Sequence, residues 1–245
     1  MPSAPTSGSV VSSPARALIP ASWPAIEGLV CGFGDRDSHA PAATLLLEQQ
    51  VHGTRIVDAG ETREAVLRRG DDGFARIAEE ADALVAAGPG LIVGVRTADC
   101  VPLLLVAPRA RWAAAVHAGW RGTLAGIAAR AVEKAGEAGI RPDELVAALG
   151  PSIGPCCYEV SPDLGEAFAR QGMALPTSSN GWADAGARPH LDLRAANRLW
   201  LERSGVPAPN VESVGPCTRC RRDCYHSFRA DPNSQGRQVS WIGWV

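Results

Sequence analysis

Leu91-Ile92-Val93-Gly94-Val95-Arg96-Thr97-Ala98-Asp99-Cys100-Val101-Pro102-Leu103-Leu104-Leu105-Val106 decides the fold. Its two apolar runs are short and bounded by turn-forming and polar residues, so they read as central strands buried on both faces. Arg96, Asp99 and Pro102 interrupt what would otherwise be the nearest approach to a membrane span. Ala83-Leu84-Val85-Ala86 upstream and Trp112-Ala113-Ala114-Ala115-Val116 downstream are runs of the same kind. After Gly122 the period changes: Leu124, Ile127, Ala128, Ala131 and Ala135 recur at helical spacing, and Gly136 and Gly139 mark the end. Leu145–Leu149 returns to strand. Leu164–Arg170 and Leu193–Arg203 read as helices, the second closed by Gly205 and Pro207. Val239–Trp244 reads as a last strand. The expected fold is α/β (α+β mixed), one domain over residues 23–245 with mixed sheets flanked by helices.

Working outward, Leu45–Val57 carries strand-like alternation followed by a polar turn. Glu61–Glu80 is charged and broken by Gly70-Asp71-Asp72-Gly73, which predicts a surface connection. Residues 1–22 are rich in Ser, Pro, Ala and Gly and predict a flexible N-terminal arm. The 245 residues are 46% apolar and 20% charged, which predicts a packed core rather than disorder. A net charge of −2 offers no electrostatic case for nucleic acid or an anionic membrane as partner. The N-terminus has no basic start followed by an apolar stretch, so a cytoplasmic protein is expected. Seven cysteines, an odd number, then predict free thiols or metal ligands.

Cys100 and His117 sit at strand ends in small-residue settings, where α/β proteins build sites. With His52 they make a His/Cys/His set, the three ligands that a catalytic zinc needs while its fourth position stays open for water. Such a metal lowers the pKa of that water to about 7. Asp99 is a candidate to orient a ligand or relay a proton. Two other readings stand. Cys100 and His117 form a thiolate–imidazolium pair in a metal-free hydrolase, with Asp99 or another group orienting the ring; or Cys100 is an ordinary buried thiol and both histidines are structural. Gly119-Trp120-Arg121-Gly122-Thr123 precedes a helix and predicts an anion site with Arg121 as a donor fork, or else a tight turn that needs glycine for its backbone. Cys217 and Cys220 make a single CxxC, short of the four ligands of a structural zinc, and the nearby arginines read as a solvated loop. Cys156-Cys157 reads as a turn with one or both thiols packed inside, His39 and His190 as surface residues, and His226 as a partly buried strand residue.

These motifs taken in order resemble the YfiH/YlmD-like family, once called multicopper polyphenol oxidoreductases or laccase-domain proteins. The resemblance runs from about residue 30 to the end. It rests on QVHG at 50–53, ADALV at 81–85, TADCVPLLL at 97–105 and HAGWRGT at 117–123. GPSIGPCCYEV at 150–160, LDL at 191–193, Cys217-Thr218, YHSFR at 225–229 and GRQVSWI at 236–242 continue it. It implies a single mixed α/β domain similar to the catalytic domain of cytotoxic necrotizing factor toxins. It implies a metal, usually zinc, on His52, Cys100 and His117, with copper as the alternative. The implied activity is phosphorolysis of purine nucleosides, methylthioadenosine among them, with adenosine deamination as a second activity. The implied partners are therefore a purine nucleoside and phosphate. Gln50, Arg36, Arg121 and Arg229 are the implied substrate contacts, with Asp99, Arg121 and Arg229 as candidate catalytic groups. A four-copper laccase fits poorly, because its centres need more imidazoles than five histidines supply. A non-catalytic zinc-stabilised module is a further alternative, and the oligomeric state is left open. Many relatives have a longer N-terminal part; here Cys31-Gly32-Phe33-Gly34-Asp35-Arg36 replaces their turn and a short segment leads to Gln50, so one substrate wall is differently built or missing.

Overall fold

The structure is a computed structural model. It describes residues 17–20, 23, 26–62, 67–173 and 188–245, with Leu67 by its backbone alone. Twelve strands lie among the described residues: β1 (Leu29–Phe33), β2 (Thr44–Gln50), β3 (Ile56–Asp58), β4 (Leu67–Arg69), β5 (Ala75–Ala81), β6 (Ala83–Ala87), β7 (Leu91–Thr97), β8 (Val101–Ala107), β9 (Trp112–Ala118), β10 (Val146–Leu149), β11 (Val211–Ser213) and β12 (Gln238–Trp244). The α-helices are α1 (Trp120–Leu124), α2 (Ile127–Glu137), α3 (Pro162–Arg170) and α4 (Leu193–Arg203). No helix among the described residues is long and apolar enough to cross a membrane.

The strands form two mixed six-stranded sheets, ordered β1-β12-β7-β2-β5-β4 and β11-β10-β8-β9-β6-β3. Side-chain alternation explains how they stack. In β8, Leu104 and Val106 pack with Val93, Val95, Ile242 and Trp244 of the first sheet, forming the inter-sheet core. Leu103 and Leu105 point the other way, against Ile127, Ala128 and Ala131 of α2 and Leu193, Ala196 and Leu201 of the α4 region. The second sheet is thus buried on both faces, sheet on one side and helices on the other. That is why its strands are continuous apolar runs.

Two expectations change. Residues 67–81 are not a surface connection: β4 and β5 form an antiparallel pair whose turn is Gly70–Gly73, closed by Gly73 N–H on Gly70 O at 2.9 Å. The charged residues disguised a strand that β2 covers on its other edge and that turns Ile77 and Ala81 into the core. The helix after Gly122 is two helices, because Gly126 takes a left-handed φ of 82° against the Trp200 ring. Leu124 closes α1, and the helical repeat belongs to α2. The arm expected over 1–22 lies outside the described residues except at 17–20, where Leu18 and Phe33 exchange backbone hydrogen bonds of 3.0 and 2.8 Å.

Leu104 is fully buried between the sheets. Leu104→Ala should cost about 2–5 kcal/mol through lost burial and a residual cavity. Urea unfolding followed by fluorescence checks this, and a change under about 1 kcal/mol would contradict the stacking described.

Candidate active site

The chain crosses from the first sheet to the second three times at one edge. β2 leads to β3 through 51–55, which holds His52; β5 leads to β6 through Asp82 alone; β7 leads to β8 through 98–100, which holds Cys100. β9 ends at the same edge with His117 and Ala118, just before α1. The return connection 214–237 enters β12 there too, since Gln238 pairs with Thr97. Topology therefore gathers residues that sit far apart in the chain.

One donor atom each from His52, Cys100 and His117 lies within 4.8 Å of the others. The two imidazole rings meet edge to face, 4.7 Å between centroids. Fully buried Asp82, which the sequence reading did not single out, holds them. Its carboxylate accepts the backbone N–H of His52 at 2.8 Å, that of Gly53 at 2.6 Å, and the Nδ1–H of His117 at 2.8 Å. Burial works against the Asp82 carboxylate, but His117 and these N–H groups outweigh it and hold its pKa below the usual range. His52 has a positive φ of 61°, a conformation uncommon for residues other than glycine. The signal that would have found Asp82 is a carboxylate inside an otherwise apolar ADALV strand, since a buried charge needs partners.

With Nδ1 engaged, His117 offers Nε2 to the site. Burial opposes the charged forms of Cys100 and His117, but their mutual attraction prevails. Together with His52 and Asp82, it brings Cys100 down to about 6 and His117 up to about 9. Two imidazoles and a thiolate, one ring oriented by a carboxylate, match the donor chemistry and outer support of a zinc centre. Gly119 permits the closeness: a Cβ there would stand 2.8 Å from the His52 ring and 3.2 Å from Cys100 Sγ. Its φ of −76° is ordinary, so the glycine is needed for space rather than for a turn.

The three donors line a cavity of about 630 Å³. Gln50, Asp99, Arg121 and Arg229 line it as well. Gln50 bonds through both ends of its amide to the Arg96 backbone at 2.8 Å, tying the QVHG strand to β7. Asp99 (φ 90°) accepts the Thr218 hydroxyl at 2.6 Å and the Arg229 backbone N–H at 2.7 Å. Both its oxygens are thus engaged in bracing the 214–237 connection, and the orienting role expected of it falls to Asp82. Arg121 stacks on Trp120 at 4.3 Å, and α1 is a single short turn of five residues rather than the start of a long helix. Arg229 lies over Tyr158 at 5.1 Å and donates to Glu159 O at 3.0 Å. Arg36 is not brought here: its Nε donates to Tyr225 O, and it borders a separate hollow with Asp223 and Asp231. Arg96, Arg237, Tyr158 and Phe228 line the cavity without having been singled out. Of the other histidines, His39 is exposed. His190 is half-buried with Nδ1 on Pro155 O, and His226 is half-buried in a loop rather than a strand. None of the three lines the cavity.

Residues 35–245 match the model of the family described as multi-copper polyphenol oxidoreductase laccase. Adenosine deaminase RL5 from an unknown prokaryotic organism is 38% identical over 200 residues, 81% of this chain and 74% of that one. The purine nucleoside phosphorylase YlmD of Geobacillus stearothermophilus is 34% identical over 197 residues, 80% of this chain and 70% of that one. A purine nucleoside phosphorylase of Deinococcus radiodurans is 38% identical over 196 residues, 79% and 68% of the two chains. The crystal structure of YlmD from Geobacillus stearothermophilus superposes with a TM-score of 0.77 at 27% identity, covering 95% of this chain and 98% of that one.

Asp82→Asn removes the charge and turns an amide N–H toward a backbone donor. Zinc affinity should fall about 10–100-fold, as for other outer partners of metal ligands, measured by competition with a chromophoric chelator. In metal-free protein, Cys100 becomes thiolate as pH rises through about 6. Its alkylation rate should therefore be close to its plateau at neutral pH, whereas an ordinary thiol of pKa about 8.5 is still accelerating. Peptide mass spectrometry after iodoacetamide pulses reads this. A half-maximal rate at the ordinary thiol pKa would show that the pair with His117 is not formed.

Proposed function

This chain belongs to the multi-copper polyphenol oxidoreductase laccase family, and on that footing we propose that it is a zinc-dependent purine nucleoside phosphorylase with adenosine deaminase activity. One observation carries the reading: His52, Cys100 and His117 converge on the wall of a cavity that also presents guanidinium groups and aromatic rings. The cavity, about 630 Å³, is of the size that encloses a small organic ligand. Relatives named purine nucleoside phosphorylase and adenosine deaminase support a nucleoside as that ligand.

The chain's own groups suit the chemistry. In phosphorolysis an oxygen of phosphate bonds to the ribose C1′ while the C1′–N9 bond breaks and the purine leaves with the electron pair. Arg96, Arg121, Arg229 and Arg237 supply planar donor forks for the phosphate. The rings of Tyr158 and Phe228 offer faces for the base. Phe228 is 52% exposed, which leaves its ring accessible to a stacked base. Tyr158, pushed up to about 12 by burial and by Cys100, keeps its phenolic proton and serves as a donor to the leaving base. A zinc ion held by His52, Cys100 and His117 would supply Lewis acidity at the cavity wall.

The metal-free hydrolase has an observation of its own: Cys100, His117 and Asp82 are arranged as thiolate, imidazolium and orienting carboxylate. It leaves His52 only a supporting role, helping His117 to stabilise the Cys100 thiolate. The polyphenol oxidase reading is less well supported, since His39, His190 and His226 lie outside the cavity and add no imidazole to it.

Purified protein given adenosine should release adenine and ribose 1-phosphate only when phosphate is present, and inosine without it, as separated by chromatography. His52→Ala should lower both rates at least about 100-fold, the scale on which lost positioning acts. Hydrolysis of an acyl ester or amide by metal-depleted His52→Ala protein, with a trappable thioester on Cys100 and no nucleoside turnover by the unaltered protein, would replace this reading with the hydrolase.

A further inference from the structure

Cys156 and Cys157 lie on the loop after β10, and Cys217 and Cys220 on the connection leading to β12. The fold brings the two pairs together, with all four sulfurs within 4.8 Å of one another. The Sγ of Cys220 stands 3.6 Å from that of Cys156 and 3.5 Å from that of Cys157. Zinc–sulfur bonds of about 2.3 Å in a tetrahedron put the sulfurs about 3.8 Å apart, whereas a disulfide needs about 2.05 Å. The spacing is that of ligands around one cation.

The backbone holds the two loops in this register. Ser152 and Cys217 form a parallel bridge, and Thr218 N–H donates to Ser152 O at 3.0 Å. Gly154 N–H points at Cys217 Sγ at 3.2 Å, the kind of outer hydrogen bond that supports a thiolate ligand. Arg221 N–H closes the CxxC turn on Cys217 O at 3.0 Å. Cys224 stands apart, its sulfur bonded to Arg221 and Asp223.

We propose that Cys156, Cys157, Cys217 and Cys220 form a second, structural zinc site that clamps the two loops walling the cavity. Four thiolates select a soft or borderline cation, and a closed set of four is the structural rather than the catalytic arrangement. The consequence reaches the cavity through covalent neighbours. Tyr158 follows Cys157 directly, and Thr218, next to Cys217, donates to Asp99, which in turn holds the Arg229 backbone. Vicinal cysteines and a lone CxxC, each too few alone, make one ligand set when the loops meet.

The full chain, loaded with zinc and desalted, should hold two ions by mass spectrometry of the metal. His52→Ala/His117→Ala should hold one, and so should Cys156→Ser/Cys220→Ser. Cobalt in the His52→Ala/His117→Ala protein should give the intense thiolate-to-metal absorption of a tetrahedral four-sulfur site. Titrating that protein with an organomercurial should release its one zinc as the four thiols are consumed. This titration decides the matter even if the serine variant does not fold. None of these readouts depends on nucleoside turnover, so their failure is distinct from failure of the proposed activity. A His52→Ala/His117→Ala protein that takes up no zinc, or a Cys156–Cys220 or Cys157–Cys220 disulfide in protein purified under reducing conditions, would overturn the proposal.

Discussion

The carboxylate of Asp82 is the constraint around which the site is arranged. A fully desolvated charge is tolerated only when donors surround it. Here the donors are two backbone N–H groups of the His52 loop and the Nδ1–H of His117. Satisfying the buried charge, fixing the His52 backbone and orienting the His117 ring are therefore one event. The backbone takes part as well: His117 N–H donates to Asp82 O at 2.7 Å, and Asp82 N–H to Arg55 O at 3.0 Å. Asp82 is the single residue between β5 and β6, so the chain's step from one sheet to the other is where the His52 loop and the His117 ring are anchored.

That step is one of several at the same edge, and their coincidence explains why a rigid sandwich carries a site at all. Loops that switch sheets have no ladder of their own, so side chains must hold them. Gln50 ties the first such loop to β7, and Asp99 ties the third to the 214–237 connection. Two side chains expected to act beside His52, Cys100 and His117, namely Gln50 and Asp99, make these bracing contacts. Arg96, Arg121, Tyr158, Phe228, Arg229 and Arg237, which line the cavity, lie on the strands and loops that those braces position.

Much of this was legible beforehand, for identifiable reasons. The strands of the second sheet are buried on both faces and announce themselves as apolar runs; β4 and β5 do not, because a half-covered strand rich in Arg and Glu looks like surface. The His52, Cys100 and His117 set was readable because Cys100 and His117 lie in runs of small residues at strand ends and QVHG offers a further imidazole to complete a ligand set. The lone carboxylate of Asp82 marks a need for partners but does not say which, because they are 30 and 35 residues away. The four-cysteine cluster was missed for a related reason. Ligand counting along the chain sees pairs, and only the parallel bridge between Ser152 and Cys217 makes the pairs one set.

The zinc and hydrolase readings share Cys100, His117 and Asp82, so the side chain that separates them is His52. Its left-handed backbone costs about 1–3 kcal/mol, a strain that persists only where surrounding interactions enforce it. Asp82 enforces it through two hydrogen bonds, and Gly119 clears the space into which the ring is driven. A thiolate–imidazolium pair is already complete with His117, and a second imidazole edge-on against the first at 4.7 Å adds the smaller part of the thiolate's stabilisation. A cation gains its third ligand. The strain, the missing Cβ and the buried carboxylate all serve to hold one ring where a metal would need it, and that convergence is what favours zinc over a bare nucleophile.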